Sequence, residues 1–238
     1  AELILIGYNF YKDLGLPVEV KINSLGNAEE RARYKEELIN FYRSKRSYLC
    51  EDCRTRLAKN PLRLLDCKEE QCQPIKEEAP QIVDWLGAES KNYFVKVLEF
   101  LDELAIPYTL THTLVRGLDY YSDTIFEFFG TAGDEKNSFA LGGGGRYDRL
   151  VEELGGKPTP AAGIGLGVER GILALKELER STQKQLVQDG KVDVYFAQLG
   201  DDAKRRALKM INDLRSSGIR VAFNFFKNSL KSQLEIAH

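Results

Sequence analysis

With 238 residues, 43% of them hydrophobic and 29% charged, the chain can bury a sizeable core in one large domain or two ordinary ones. Its 34 basic and 36 acidic residues nearly cancel, so overall charge argues neither for nor against a nucleic acid or membrane surface. No apolar run approaches the roughly 20 residues that span a bilayer, and the start AELILIGYNFYKDLG lacks the basic leader and cleavage site of a signal peptide. A cytoplasmic protein is expected, and the lack of an initiator methionine at Ala1 suggests a chain that starts mid-protein.

In chain order, Leu3, Ile6, Phe10 and Leu14 fall at helical spacing with Gly15 as a stop, and Val18, Val20 and Ile22 then alternate as in a half-buried strand. Asn27 followed by Glu30 is a capping box, opening a helix whose stripe is Tyr34, Leu38 and Phe41. From about 43 to 87 the composition changes to cysteines, helix-breaking prolines and a basic first half (Arg43, Lys45, Arg46, Arg54, Arg56, Lys59, Arg63), which marks an inserted helical module. A helix over roughly 89 to 105, with Tyr93, Phe94, Val97, Leu98, Leu101 and Leu104 inward, ends at Pro107.

Between 108 and 168 the period becomes that of strands: YTLTH, YYSDTIFEFFG, SFALGGGG and AAGIGLGV, with TAGDEKNS as a hairpin connector. The fold class is therefore α+β: an antiparallel sheet flanked by helices rather than a doubly wound parallel one. Residues 1–180 form the main domain, 181–190 a polar linker, and 191–238 the β-α-β-α start of a second, α/β domain that ends inside a helix.

Three segments carry the chemistry. In AAGIGLGVER (161–170), Gly163, Gly165 and Gly167 leave one strand face bare while Ile164, Leu166 and Val168 pack the other. Such a face is a slot for something flat or a site of close packing, and Glu169 and Arg170 at the following helix start favour a phosphate. The pattern is not G-x-G-x-x-G, and no phosphate-binding G-x-x-x-x-G-K-[ST] loop occurs. In LGGGGRYD (141–148), Gly142 to Gly145 allow close backbone approach. In LVRGLDYYSDTIFEF (114–128), alternation puts Tyr121, Asp123, Ile125 and Glu127 on one face, and Arg116 either serves a ligand or pairs with Asp119 or Asp123.

Together, in this order and spacing, these three segments closely resemble the histidyl-tRNA synthetases, a family of class II aminoacyl-tRNA synthetases. NPLRLLDCK in the inserted module and the final βα start share the resemblance, which covers essentially the whole chain. It implies ATP-dependent activation of histidine to histidyl-adenylate, with Mg²⁺ accompanying ATP, and transfer to tRNA(His) by a homodimeric cytoplasmic ligase. By resemblance Arg116 contacts the α-phosphate and the histidine carboxylate, and Tyr121, with Tyr120 beside it, reads the imidazole. Gly142, Gly143 and Gly144 would floor the histidine pocket, Gly163, Gly165 and Gly167 would accept adenosine, and Arg170 would hold ATP at its γ-phosphate. The final segment would begin an anticodon-binding domain, and the basic part of the insertion would lie near the acceptor stem.

The family's motifs 1 and 2 normally precede the point where this chain begins, so the chain by itself is expected not to catalyse adenylation. A catalytically silent regulatory subunit of histidine biosynthesis is the alternative, disfavoured by the presence of Arg116 and of a second domain. Cys50-x2-Cys53 and Cys67-x4-Cys72 have the complement for a tetrahedral Zn²⁺, against four reduced thiols as the competing reading.

Overall fold

Helix α1 (Glu2–Asp13) opens the chain and turns a different face inward from the one its spacing suggests. Ile4, Gly7 and Tyr11 are buried, whereas Ile6, Phe10 and Leu14 are exposed. The helix is apolar nearly all round, so contact with the sheet selects the face: a side chain at Gly7 would start 2.5 Å from the Phe128 ring, and the Tyr11 hydroxyl donates to the Leu141 carbonyl at 2.9 Å. Gly15, at φ +72°, reverses the chain as expected, with Leu16 N–H donating to the Tyr11 carbonyl at 2.9 Å.

The computed structural model describes residues 1–117, 120–130, 139–182, 192–227 and 229–237. It divides into two compact units, Ala1–Lys184 and Gln185–His238. After α1 the first unit runs through β1 (Val18–Ser24), α2 (Ala28–Ser44), the insertion with α3 (Glu51–Lys59) and α4 (Gln73–Glu77), then α5 (Ala88–Glu103) and β2 (Tyr108–Leu110). It continues through β3 (Ser122–Gly130), β4 (Ala140–Arg146), α6 (Leu150–Glu153), β5 (Ala162–Leu166) and α7 (Val168–Thr182). Within α5 the buried stripe is Ser90, Phe94, Val97 and Leu101, and Tyr93 and Leu104 lie exposed rather than inward.

The five-stranded sheet has the order β2-β1-β3-β4-β5. β1, β3, β4 and β5 are antiparallel neighbours, as expected, but β2 lies parallel to β1, so the sheet is mixed. The reason is the connection: the whole α2–α5 segment links β1 to β2, and a helical crossover returns the chain in the same direction. The fold class remains α+β, a mixed sheet flanked by helices. The connector 131–138 lies outside the described residues, as does most of the expected linker, whose beginning belongs to α7.

Adjacent residues of β3 face opposite sides. Phe126 and Phe128 join Val20, Ile22, Leu141 and residues of α1, α5 and α7 in one core. Ile125 and Tyr121 join α2 and the insertion in the other. The face between sheet and insertion is where the polar equipment gathers.

The expected capping box at α2 is present: Asn27 Oδ1 accepts from Glu30 N–H at 3.0 Å and Glu30 returns the bond to Asn27 N–H at 2.9 Å. Glu30 is only 3% exposed and also accepts from Gly87 N–H (2.6 Å) and Ser90 Oγ (2.7 Å), tying α2 to the start of α5. Burial opposes its ionisation, but those donors outweigh burial and hold its pKa below the ordinary value. A carboxylate with a depressed folded-state pKa contributes stability above the unfolded value of about 4.3, lost as pH falls through the folded value. Glu30→Gln is therefore expected to destabilise the protein at pH 7 by about 1–3 kcal/mol. Urea midpoints of the two proteins should converge below about pH 4.

The second unit contains β6 (Val194–Phe196), α8 (Asp201–Ser216), β7 (Val221–Phe223) and α9 (Leu230–Ala237), with β6 and β7 parallel. Ala207, Ile211 and Val221 form its core, and buried Gln233 exchanges hydrogen bonds with the Gln198 backbone at 2.9 and 2.7 Å. Among the described residues no helix is long and apolar enough to cross a membrane.

Candidate active site

The loop after β2 delivers Arg116. Asn23 on β1 holds that loop by donating from Nδ2 to the Leu114 carbonyl at 3.0 Å and the His112 carbonyl at 3.3 Å. Arg116 then reaches across to Glu127 in an ion pair, its guanidinium carbon 5.4 Å from the centre of the Tyr121 ring. Both charged side chains are mostly sheltered, at 22% and 18% exposure. Among the described residues the partner is thus Glu127 and not Asp123, and Asp119 lies outside the described residues. Burial pushes the Glu127 carboxyl up in pKa, with Arg116 pulling the other way.

The expected shared face of Tyr121, Asp123, Ile125 and Glu127 is broken at one residue. Asp123 adopts φ +47°, and the β3–β4 register shifts between Ser122 and Ile125. That bulge re-aims Asp123 into a separate polar cleft with Asn27, Tyr93, Arg146 and Asp148, while Tyr121, Ile125 and Glu127 stay on the insertion side. The backbone at Tyr121 is fixed by Arg31 of α2, which donates to its carbonyl. Tyr120 lies against Tyr121 (ring centres 4.6 Å apart), and Tyr147 stands edge-on to both at 5.6 and 6.2 Å.

The glycines divide by face. A second register shift, between Phe128 and Phe129, leaves Leu141 as an extra residue, so Gly143 opposes Glu127 on the polar side. A side chain on Gly143 would meet Glu127 Cγ at 2.9 Å and Arg116 Nη1 at 3.0 Å. Gly142 and Gly144 turn the other way. An added Cβ on Gly142 would lie 2.7 Å from the Gly165 carbonyl and 2.8 Å from the Tyr11 hydroxyl, and one on Gly144 would run into the Gly163 carbonyl. Those two glycines permit close strand approach, and Gly143 is the one of the three that faces Arg116 and Glu127.

On β5 the alternation holds. Gly163 and Gly165 pair with Gly145 and Gly143, while Ile164 and Leu166 pack on the opposite core. Val168, expected to continue that apolar face, instead begins α7 and is 65% exposed. At Gly165 an added Cβ would find only the Gly143 carbonyl oxygen, at 3.9 Å. The result is a cleft of about 660 Å³ bordered by Arg116, Tyr120, Tyr121, Glu127, Gly143 and Gly165, which also reaches Gly142, Gly163, Gly167 and Arg170. Arg170 hydrogen-bonds the Ala140 carbonyl at 2.6 Å, keeping its guanidinium at the cleft's far end, beside the α7 N-terminus. Of the expected residues, Gly144 alone of the β4 trio does not border this cleft.

Sequence reasoning did not single out Asn23, Arg31 and Tyr147 as parts of the site. The first two act on backbone carbonyls far away in the chain, a role with no local signature; Tyr147 stands just beyond the end of the glycine run, separated from it by Arg146.

The four cysteines converge. Their Sγ atoms all lie within 4.8 Å of one another, with Cys53, Cys67 and Cys72 buried and Cys50 partly so. Burial disfavours the Cys50 thiolate, yet N–H donation from Cys53 and the adjoining thiols lower its pKa; burial raises those of Cys53 and Cys72.

A family model described as histidyl-tRNA synthetase matches residues 49–170, just over half the chain. Among curated relatives, the histidine–tRNA ligase of Oceanobacillus iheyensis is 44% identical over all of this chain and 54% of its own length. That of Halothermothrix orenii is 45% identical over all of this chain and 55% of its own length. The solved structure of apo S. aureus histidyl-tRNA synthetase superposes with a TM-score of 0.59 at 34% identity, covering 99% of this chain and 57% of that one. The chain spans about 55% of the length of the curated relatives it matches. With a sheet of this topology and a matching family model across the insertion, β3, β4 and β5, the chain belongs to the histidyl-tRNA synthetase family.

Proposed function

We propose that the chain serves histidine–tRNA ligation, in which ATP activates histidine to histidyl-adenylate and the histidyl group passes to tRNA(His). The observation that carries the reading is the convergence of Arg116, Glu127 and Tyr121 on a sheet face beside Gly165, where an added Cβ would meet only the Gly143 carbonyl oxygen at 3.9 Å. A carboxylate oxygen of histidine attacks the α-phosphorus of ATP, and the bond to pyrophosphate breaks. Negative charge builds on the non-bridging phosphate oxygens, where the Arg116 guanidinium supplies fixed, partly desolvated donors. Glu127 holds that guanidinium in place before substrate arrives, so little reorganisation remains for the reacting step.

Tyr121 and Tyr120 form the wall that reads the imidazole. Gly165 gives adenosine a bare surface, with Gly163 against the Tyr147 ring beside it, and Arg170 beside the α7 N-terminus takes the distal phosphates. Among the described residues bordering the cleft Glu127 is the one carboxylate, and it would fit a hard cation that is otherwise held by phosphate oxygens and water. Held at Glu127, Mg²⁺ would supply charge that offsets the negative phosphate oxygens. The basic half of the insertion, including Arg43, Arg54 and Lys59, faces the tRNA acceptor stem in this reading, the second unit begins an anticodon-binding domain, and the enzyme works as a cytoplasmic homodimer.

ATP–pyrophosphate exchange by the intact enzyme, run with each amino acid in turn, tests the reading: histidine alone should support exchange, and exchange with another amino acid or with none contradicts it. Tyr121→Phe should raise KM for histidine about 10–100-fold, the cost of leaving a ring nitrogen unpaired, with KM for ATP nearly unchanged. An unaltered histidine KM would remove Tyr121 from the recognition wall.

A further inference from the structure

The inserted module has little regular structure of its own. α3 has nine residues and α4 five, joined by 3₁₀ turns, and helices this short are not stable in isolation. What they surround is the cysteine cluster. Cys50 caps α3 and Cys53 lies in its first turn, Cys67 follows the turn Pro61–Leu64, and Cys72 ends the turn before α4. Four points separated in sequence thus meet at one place, packed about by Leu49, Leu62, Leu64 and Leu65.

The geometry there is that of a metal cage. Zinc–thiolate bonds of about 2.3 Å in a tetrahedron set sulfur–sulfur edges of about 3.8 Å. Cys50 and Cys67 Sγ are 3.8 Å apart, and every other pair is within 4.8 Å. Two backbone N–H groups already point at sulfur, Cys53 to Cys50 Sγ at 3.4 Å and Cys50 to Cys72 Sγ at 3.3 Å, the donors that thiolate charge needs. All four cysteines are free; a disulfide would draw one pair to about 2.05 Å and leave the other two thiols buried without a purpose.

We propose that Cys50, Cys53, Cys67 and Cys72 bind one Zn²⁺ as a closed structural centre that staples the inserted module against the substrate cleft. With three of its four ligands buried, the site offers no open position for catalysis. Its reach into the cleft is direct. Cys53, Cys67 and Cys72 share a hydrophobic core with Leu114, Ile125 and Tyr121, and Cys67 with its neighbours Asp66 and Lys68 borders a second cleft of about 840 Å³ that also touches Glu127 and Arg170. Metal binding fixes the wall that packs against Tyr121.

The test is metal analysis of the intact protein, purified without chelator or metal-affinity steps. One zinc per chain is expected, released together with four thiols on titration with an organomercurial. Cys67→Ser should empty the site, and Cys50→His, which keeps a ligand, should retain most of the zinc and so separate lost coordination from lost folding. Substitution by Co²⁺ should give the intense thiolate charge-transfer bands of a tetrahedral sulfur site. Substoichiometric zinc with four freely reactive thiols in the native protein, a disulfide, or iron in place of zinc would each overturn the proposal. Removing the metal is further expected to weaken histidine binding about tenfold or more while ATP binding changes less. That second effect rests on Tyr121 reading histidine, whereas the metal content does not, so the two ideas fail separately.

Discussion

With valine in place of Gly165, affinity for ATP will fall by about 100-fold or more, near 2.7 kcal/mol, while the melting temperature moves by no more than about a few degrees. The separation follows from what each glycine faces. At Gly165 the added Cβ meets only a carbonyl oxygen at 3.9 Å, and valine suits a strand, so the ligand-free fold has room for it. That room is the surface assigned to adenosine, and two methyl groups fill it. Gly144→Ala is the counter-case: its Cβ runs into the Gly163 backbone, so stability should drop before any ligand is considered. Calorimetric ATP titration beside a thermal melt on each variant checks both. Unchanged ATP affinity in the valine variant would mean that the bare face is merely close packing.

Arg116→Lys should lower kcat for histidyl-adenylate formation by about 10²–10³-fold and leave the fold intact. Lysine preserves the positive charge beside sheltered Glu127, so the ion pair survives in weaker form. It lacks the planar fork with which a guanidinium can grip one group while presenting donors to another. Alanine is the poorer probe, because it would strand Glu127 without its partner and confound catalysis with stability. Single-turnover adenylate formation measures the effect, and a loss under about threefold would place Arg116 in a purely structural role.

Much of this site could be read from the chain because strand alternation is a strict rule. Ile164 and Leu166 pack one core, and Gly163 and Gly165 turn to the other side as the pattern of β5 requires; Gly165 is open there, whereas the Tyr147 ring fills the space at Gly163. The rule failed where the backbone departed from it. A bulge at Asp123 turns that one residue away from Tyr121, Ile125 and Glu127, and an extra residue at Leu141 accompanies a register in which Gly143, not Gly142 or Gly144, lies opposite Glu127. Neither departure has a local signature: Asp123 is not a glycine, and Leu141 lies in an ordinary apolar run.

Long-range choices were equally hidden. α1 is apolar on several sides, and only the sheet decides that Ile4 and Tyr11, not Ile6 and Phe10, turn inward. The parallel pairing of β2 with β1 is a consequence of the long crossover, not of any residue in YTL. Asn23 and Arg31 hold the Arg116 loop and the Tyr121 carbonyl from elements distant in sequence. The capping box at Asn27 and the clustering of the cysteines, by contrast, depend on near neighbours, and both could be anticipated.

Whether one face of β3, β4 and β5 brings histidine and ATP together is tested most directly by a crystal structure of the intact enzyme with a non-reacting histidyl-adenylate analogue. The imidazole is expected against Tyr121 and Tyr120, the phosphate mimic at Arg116, and the adenosine over Gly163 and Gly165. An analogue bound elsewhere, or bound in this cleft with its adenosine away from those glycines, would contradict it.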